Sequence, residues 1–233
     1  MNATVHLWLV DLRTVDAGRG LPLLSTAERE RVGRAGTPLV RRRLVCRRAA
    51  LRSVLAPLAG VAPADLELER RCDRCGKHHP VDLRRGTGGR LWWSSSSAGA
   101  LFVVAGADAP IGVDVEPVRP AAEWAAVARR HFAAEEIAAL AGSAERFARY
   151  WTLKEAYLKG LGLGLLGGLD RLRCDTLTSE ADGWLVAPGH PEWRFAAVPL
   201  PDGGVACAVA LRGRAAVPEV HRYAPVVEPG RRS

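Results

Sequence analysis

The chain lacks any long apolar run. Nothing in its 233 residues reaches the ~18 consecutive apolar positions of a membrane-spanning helix. The opening MNATVHLWLVDLR has no basic stretch ahead of its short apolar run, and acidic Asp11 follows at once. It reads as a first strand and not as a secretory leader, so the expectation is a cytoplasmic protein with no membrane partner. Cysteine is scarce and odd in number, five in all, which argues against a disulfide framework. A single CxxC, Cys72 and Cys75, is followed by His78 and His79, while Cys174 and Cys207 stand alone. A zinc knuckle needs four ligands at regular spacing, so this segment is expected to be a loop. The glycine-rich GLGLLGG is not followed by the Lys-Ser/Thr of a phosphate-binding P-loop and reads as a turn. No residue-level repeat is visible.

Acidic charge is also in short supply. Lys and Arg number 33 against 25 Asp and Glu, giving a net charge of +8 and a pI near 9.8. That balance favours a polyanionic partner: nucleic acid, an acidic protein or a phosphorylated ligand. The excess is concentrated. From Glu28 to Arg52 nine arginines stand against two glutamates. The composition is otherwise that of a globular protein, 48% hydrophobic and 25% charged. The length suits one large domain or two small ones.

The order of elements follows from periodicity and punctuation. VHLWLVDL alternates as a strand does. STAERERVGR opens with Ser25 or Thr26 as cap and an acid in the first turn. PLVRRRLVCRRAALRSVLAPLAG carries a broad apolar stripe and is expected to stop at Pro57 and Gly60. LWWSSSSAGALFVVAG and IGVDVEPV read as two neighbouring strands parted by a turn at ADAP. Short helices are expected over 121–140, then the long helix ending in RYWTLKEAYLKG. RLRCDTL, GWLVAPG, EWRFAAVPL and GGVACAVALRG read as antiparallel strands, and the chain beyond Val217 as a loose end. The expected fold class is α+β, with a break near Pro110 and each half holding its own core.

Two stretches carry chemistry. In GVDVE, Asp114 and Glu116 are two apart on a strand and share a face. Adjacent carboxylates repel unless a cation lies between them, and hard oxygen donors of this kind suit Mg²⁺ with substrate phosphates. An edge strand with two incidental acids is the plain alternative. In WTLKEAYLKG, Glu155 and Lys159 are four apart and stack on one helix face. They form either a solvated ion pair or a third carboxylate with a phosphate-binding ammonium. Taken together, three acids, one lysine and an arginine cluster suit a metal-bound polyphosphate.

GVDVE, followed some forty residues later by WTLKEAYLKG, resembles the two signature motifs of the 4′-phosphopantetheinyl transferases, in particular the long Sfp-type class. The family pattern G-(V/I)-D-(V/I)-E and W-x-x-K-E-A-x-x-K is matched at Gly112, Asp114, Glu116, Trp151, Lys154, Glu155, Ala156 and Lys159. The early strand and helices are similar too, so the resemblance covers most of residues 1–170. It implies two similar α/β half-domains in a pseudo-dimeric monomer, 1–110 and 111–233, with coenzyme A in the cleft between them. It implies transfer of phosphopantetheine to a serine of an acyl or peptidyl carrier protein, with 3′,5′-ADP released. In that reading Asp114, Glu116 and Glu155 hold Mg²⁺, and Glu155 activates the serine hydroxyl directly or through a water. Lys159 contacts the phosphates, and Arg43 and Arg48 take the CoA 3′-phosphate. An acidic carrier protein agrees with the net charge.

The sequence departs from the family in one place that matters. Where the family has Ser-His-Ser, the histidine binding the 3′-phosphate, this chain has Ser96 and then Ser97. A hydroxyl hydrogen-bonds a phosphate but brings no charge. The CxxC segment resembles a family loop with Lys or Arg before Pro; here His79 precedes Pro80, with Lys77 as a substitute. Two rival readings remain. One is a diverged member that binds CoA without modifying carriers. The other is an arginine-rich nucleic-acid-binding module, which leaves the three acids unexplained.

Overall fold

A computed structural model describes residues 4–68, 70–71, 78–79, 83–84, 90–163, 168–200, 204–213 and 219–223. The first strand, β1 (Val5–Asp11), leads through a one-turn helix α1 (Ala17–Gly20) to α2 (Thr26–Gly33). Ser25 caps α2 and exchanges reciprocal hydrogen bonds with Glu28, as the Ser-x-x-Glu spacing requires. The long helix α3 (Pro38–Ala59) is capped by Thr37 and ends at Gly60, with Pro57 tolerated in its last turn. After three two-residue strands, β2 (Arg70–Arg71), β3 (His78–His79) and β4 (Leu83–Arg84), come β5 (Arg90–Ala98), β6 (Leu101–Ala107) and β7 (Ile111–Pro117). The Cys72–Lys77 segment lies outside the described residues.

The remainder is α4 (Ala121–His131), α5 (Ala134–Leu140), α6 (Ala144–Gly160), β8 (Thr178–Ser179), β9 (Leu185–Ala187), β10 (His190–Ala197), β11 (Val205–Arg212) and β12 (Glu219–Arg222). The same topology occurs twice. In one sheet β6 lies between β1 and β5, antiparallel to both; in the other β11 lies between β7 and β10, antiparallel to both. A long helix stands between the first strand and the hairpin in each case, α3 in one and α6 in the other. The α+β reading holds.

The layers stack as α3, first sheet, second sheet, α6. Phe102 and Val104 of β6 face α3, with Cys46, Ala50, Leu51 and Leu55. Val103, Ala105 and Ala107 face the other way, against Val113, Val115, Val209 and Leu211 of the second sheet. Ala208 and Ala210 of β11 meet Leu153, Ala156 and Tyr157 of α6. Both central strands are buried on both faces, which explains their unbroken apolar runs.

Several expectations change. LWWSSSSAGALFVVAG is a hairpin and not one strand: Gly99, at φ +58°, reverses the chain between β5 and β6. β7 is not their neighbour in a sheet, since its ladder runs to β11. RLRCDTL forms turns where a strand was expected. Lys154 donates to the carbonyls of Leu169 and Leu172, and Glu136 accepts from the Cys174 N–H, so side chains satisfy this backbone in place of a ladder. The loose end expected beyond Val217 includes a strand among its described residues, β12 at Glu219–Arg222. β12 pairs in parallel with β1, returning the C-terminal segment to the first sheet.

Candidate active site

The site is built where α6 crosses β7. A Cβ added at Gly112 would lie 1.8 Å from the Ala156 carbonyl oxygen and 2.5 Å from the Gly160 nitrogen, so the two backbones touch there. That contact is the physical reason for glycine at the head of GVDVE. Along β7, Val113 and Val115 enter the core between the sheets. Gly112, Asp114 and Glu116 take the opposite face, toward α6 and its Glu155 and Lys159.

β7 is the edge of its sheet, and side chains complete it. Val113 N–H donates to Ser94 Oγ at 3.1 Å, and Lys159 Nζ donates to Val113 O at 3.2 Å. Asp114 is only 2% exposed. Its Oδ1 accepts from Ser96 Oγ at 2.7 Å and from Lys159 Nζ at 2.6 Å. Its Oδ2 is buried and has no hydrogen-bond partner, and the same is true of Glu155 Oε1. Two orphaned carboxylate oxygens in one site are costly to keep.

The electrostatics say the same. Burial, then the Asp114 charge, pushes the Glu155 carboxyl up to about 7, with Glu116 adding to the effect and Lys159 opposing it. Burial and then Asp114 raise Glu116 as well, against Lys159 and Arg119. Lys159 is therefore the cation that the three acids share, with Arg119 added at Glu116. Among the described residues no three acidic, histidine or cysteine side chains close into a metal cage as they stand. The donor chemistry nonetheless fits a hard divalent cation, because two oxygen ligands lack partners and the local negative charge is under-compensated. From Glu116 an apolar groove of about 200 Å³ runs past Pro117, Trp124, Phe147 and Trp151.

The chain is similar to known proteins along nearly its whole length. Over 230 residues it is 30% identical to the 4′-phosphopantetheinyl transferase HetI of Nostoc sp. (strain PCC 7120), covering 96% of this chain and 94% of that one. The chain belongs to the 4′-phosphopantetheinyl transferase superfamily. Residues 110–210 match the family's own sequence profile. A putative 4′-phosphopantetheinyl transferase of Synechocystis sp. is 28% identical over 184 residues, 76% of this chain and 73% of that one. The solved structure of Helicobacter pylori holo-[acyl-carrier-protein] synthase in complex with coenzyme A aligns with 44% of this chain and 99% of its own, at 18% identity and a TM-score of 0.32.

Within this family member, the two lysines of the long-helix motif have separate tasks. Lys159 joins the acidic group. Lys154 is 1% exposed and pairs with Glu136 at 2.8 Å, away from Asp114. Glu136 also caps Ala133 N at 3.0 Å, so this pair pins α5, α6 and the 169–174 turns together. Sequence reasoning placed Lys154 in the motif but not in this role. The signal was the wholly buried register of 152–158, which a lysine enters only with a partner.

The arginine cluster divides. Arg52 is 2% exposed and bonded to Glu28 and to the carbonyls of Pro63, Ala64 and Leu66, so it is a strut. Arg48 lies 3.7 Å from Glu28 Oε1 and lines a second cavity with Arg31 and Arg52. Arg43 is exposed on the outer end of α3. Ser96 reaches the acids through Asp114, whereas Ser97, next along the strand, faces the opposite way, toward α3. No helix among the described residues is long and apolar enough to cross a membrane.

Proposed function

We propose that this chain transfers the 4′-phosphopantetheine of coenzyme A to a serine of an acidic acyl or peptidyl carrier protein, with Mg²⁺ held by Asp114, Glu116 and Glu155. The observation that carries the reading is the meeting of Asp114, Glu155 and Lys159 from two motifs some forty residues apart, with a partnerless buried oxygen on each acid. Such a group is unstable alone and is suited to a cation with a pyrophosphate. Bound there, Mg²⁺ supplies charge neutralisation to the pyrophosphate oxygens.

The chain's own residues do the rest. Phosphoryl transfer depends mainly on positioning and electrostatics. The carrier serine Oγ attacks the phosphorus that bears pantetheine. The bond from that phosphorus to the bridging oxygen breaks, and 3′,5′-ADP leaves with the electron pair. Lys159 Nζ, already at the mouth of the acidic group, meets the charge that gathers on the leaving phosphate. Glu155 would take the serine proton directly or through a water; its value of about 7 belongs to the metal-free site, and a bound cation lowers it. The groove beyond Glu116 offers an apolar wall for the uncharged part of a substrate. We assign the half-domains as 1–110 and 111–233, with β12 exchanged onto the first half. The chain acts as a monomer, since each half supplies the other's wall of the cleft, and it acts in the cytoplasm, where CoA and carriers meet. The basic surface steers an acidic carrier.

Intact mass of a carrier protein after incubation with this protein, CoA and Mg²⁺ tests the reading. A gain of one phosphopantetheine that EDTA abolishes is expected. An unmodified carrier across acyl and peptidyl types, with CoA still bound, would support the diverged alternative instead. Salt-sensitive duplex binding indifferent to CoA would favour a nucleic-acid module.

A further inference from the structure

The four serines of β5 do not act alike. Strand alternation sends Ser95 and Ser97 toward α3, with Leu91 and Trp93, and Ser94 and Ser96 toward the second sheet. We propose that Ser96 is a positioning residue for Asp114: with Lys159 it occupies one carboxylate oxygen, so that Asp114 offers a divalent cation the other oxygen alone, and this selects Mg²⁺ over Ca²⁺. The inference rests on the cation reading above and not on how coenzyme A is held.

The two strands belong to different sheets. β5 pairs with β4 and β6, whereas β7 is an edge strand that pairs with β11. Where they run side by side, serine hydroxyls take the place of a ladder. Ser94 is buried and accepts from the Val113 N–H at 3.1 Å. Two residues along β5 and one along β7, Ser96 donates to Asp114 Oδ1 at 2.7 Å. The first bond fixes the backbone of β7, since an unpaired Val113 N–H would be costly at this depth. The second fixes the carboxylate of the very next residue.

The division between the two oxygens of Asp114 carries the inference. Oδ1 receives both Ser96 Oγ at 2.7 Å and Lys159 Nζ at 2.6 Å, which fills its two lone-pair sites. Oδ2 is buried and receives nothing. Lys159 alone does not enforce this split. Its ammonium is shared with the Val113 carbonyl at 3.2 Å, and its long side chain is 28% exposed, so it is the less fixed of the two donors. Ser96 is held on a strand, and its hydroxyl has a single short bond to turn about.

Which oxygens are free decides which metal is suited. Mg²⁺ demands near-octahedral geometry, keeps several waters and takes few carboxylate oxygens. Ca²⁺ is larger, takes more oxygens in a looser arrangement and accepts both oxygens of one carboxylate. With Oδ1 occupied, Asp114 cannot offer both. The hydroxyl at 96 thus favours the smaller ion without touching it. Partners that act on a metal's ligand in this way alter affinity by about 10–100-fold.

The experiment titrates the full-length protein with Mn²⁺, reading the free ion by electron paramagnetic resonance, and then displaces it with Mg²⁺ or Ca²⁺, with and without coenzyme A. The wild type is expected to favour Mg²⁺. Ser96→Ala should weaken Mg²⁺ by roughly tenfold and Ca²⁺ less, because the freed Oδ1 is open to the larger ion, so the ratio of the two falls. Ser96→Thr keeps the hydroxyl and should keep the ratio. In carrier modification the Ser96→Ala defect should fall on KM for Mg²⁺ more than on kcat. Thermal unfolding in EDTA shows that each variant is folded. An unchanged ratio in folded Ser96→Ala overturns the inference, as does a folded Ser96→Thr that behaves like Ser96→Ala, or a wild type with no preference. Mg²⁺-dependent carrier modification with a Ser96-independent ratio sinks this inference alone. A ratio that depends on Ser96 without any carrier modification supports it and overturns the transferase reading. A protein that binds no Mn²⁺ in either state overturns this inference and the cation reading together.

Discussion

Glu155→Gln is expected to make the metal-free protein more stable while ending transfer. The folded protein holds the Glu155 carboxyl near 7, against 4.5 for a free side chain. Its folded value is raised, so the stabilising contribution is complete below about 4.5 and is lost as pH climbs through about 7. A tenfold weakening of the acid corresponds to about 1.4 kcal/mol, which puts the full penalty of ionisation at about 3 kcal/mol. The side chain is 8% exposed and opens on the cleft, so solvent screening brings the figure to about 2 kcal/mol. Glutamine keeps the shape and cannot ionise. In EDTA the two proteins should therefore unfold together at about pH 4. By pH 8 the variant should lead by roughly 4–8 °C, as about 1 kcal/mol moves the midpoint 2–4 °C for a chain of this size. Added Mg²⁺ should raise the wild type and leave the variant behind. Scanning calorimetry at four pH values reads this directly. A difference that stays flat with pH, or a variant that is weaker at pH 8, would refute the claim that Glu155 carries an uncompensated buried charge.

Other perturbations follow from the same geometry. Lys154→Met leaves Glu136 charged and buried and removes the donor to two carbonyls; a loss of about 3–5 kcal/mol is expected in urea unfolding, partly recovered by adding Glu136→Gln. Gly112→Ala drives a methyl into the Ala156 carbonyl, so β7 and α6 must separate; denaturant midpoints should fall by the equivalent of about 1–3 kcal/mol and transfer should drop with them. Lys159→Met takes away the one ammonium at Asp114, and steady-state kinetics with a carrier protein should show kcat/KM reduced by about 10²-fold.

The acidic site was legible because its spacing is local. Asp114 and Glu116 share a face by strand period, Glu155 and Lys159 by helix period, and chemistry alone says that such faces want each other. What the sequence could not show was the crossing that joins them. It depends on a backbone contact at Gly112, and a glycine in a strand reads only as a weakness until its neighbour is known. The hairpin within LWWSSSSAGALFVVAG was missed for a related reason. Both strands are apolar enough to run on, and the reversal rests on one glycine whose positive φ leaves no mark in periodicity. The same limit applied to charge. Nine arginines across two helices looked like one electrostatic surface. Three-dimensional placement separates a strut, Arg52, a residue leaning on Glu28, Arg48, and a cation set on an aromatic ring, Arg47. Periodicity distinguishes faces of one element, and it carries no information about which side chain of another element arrives there. Lys154 and Lys159 make the point within five residues: the same chemistry, one turn and a half apart, is buried as a brace in one case and poised over the acids in the other.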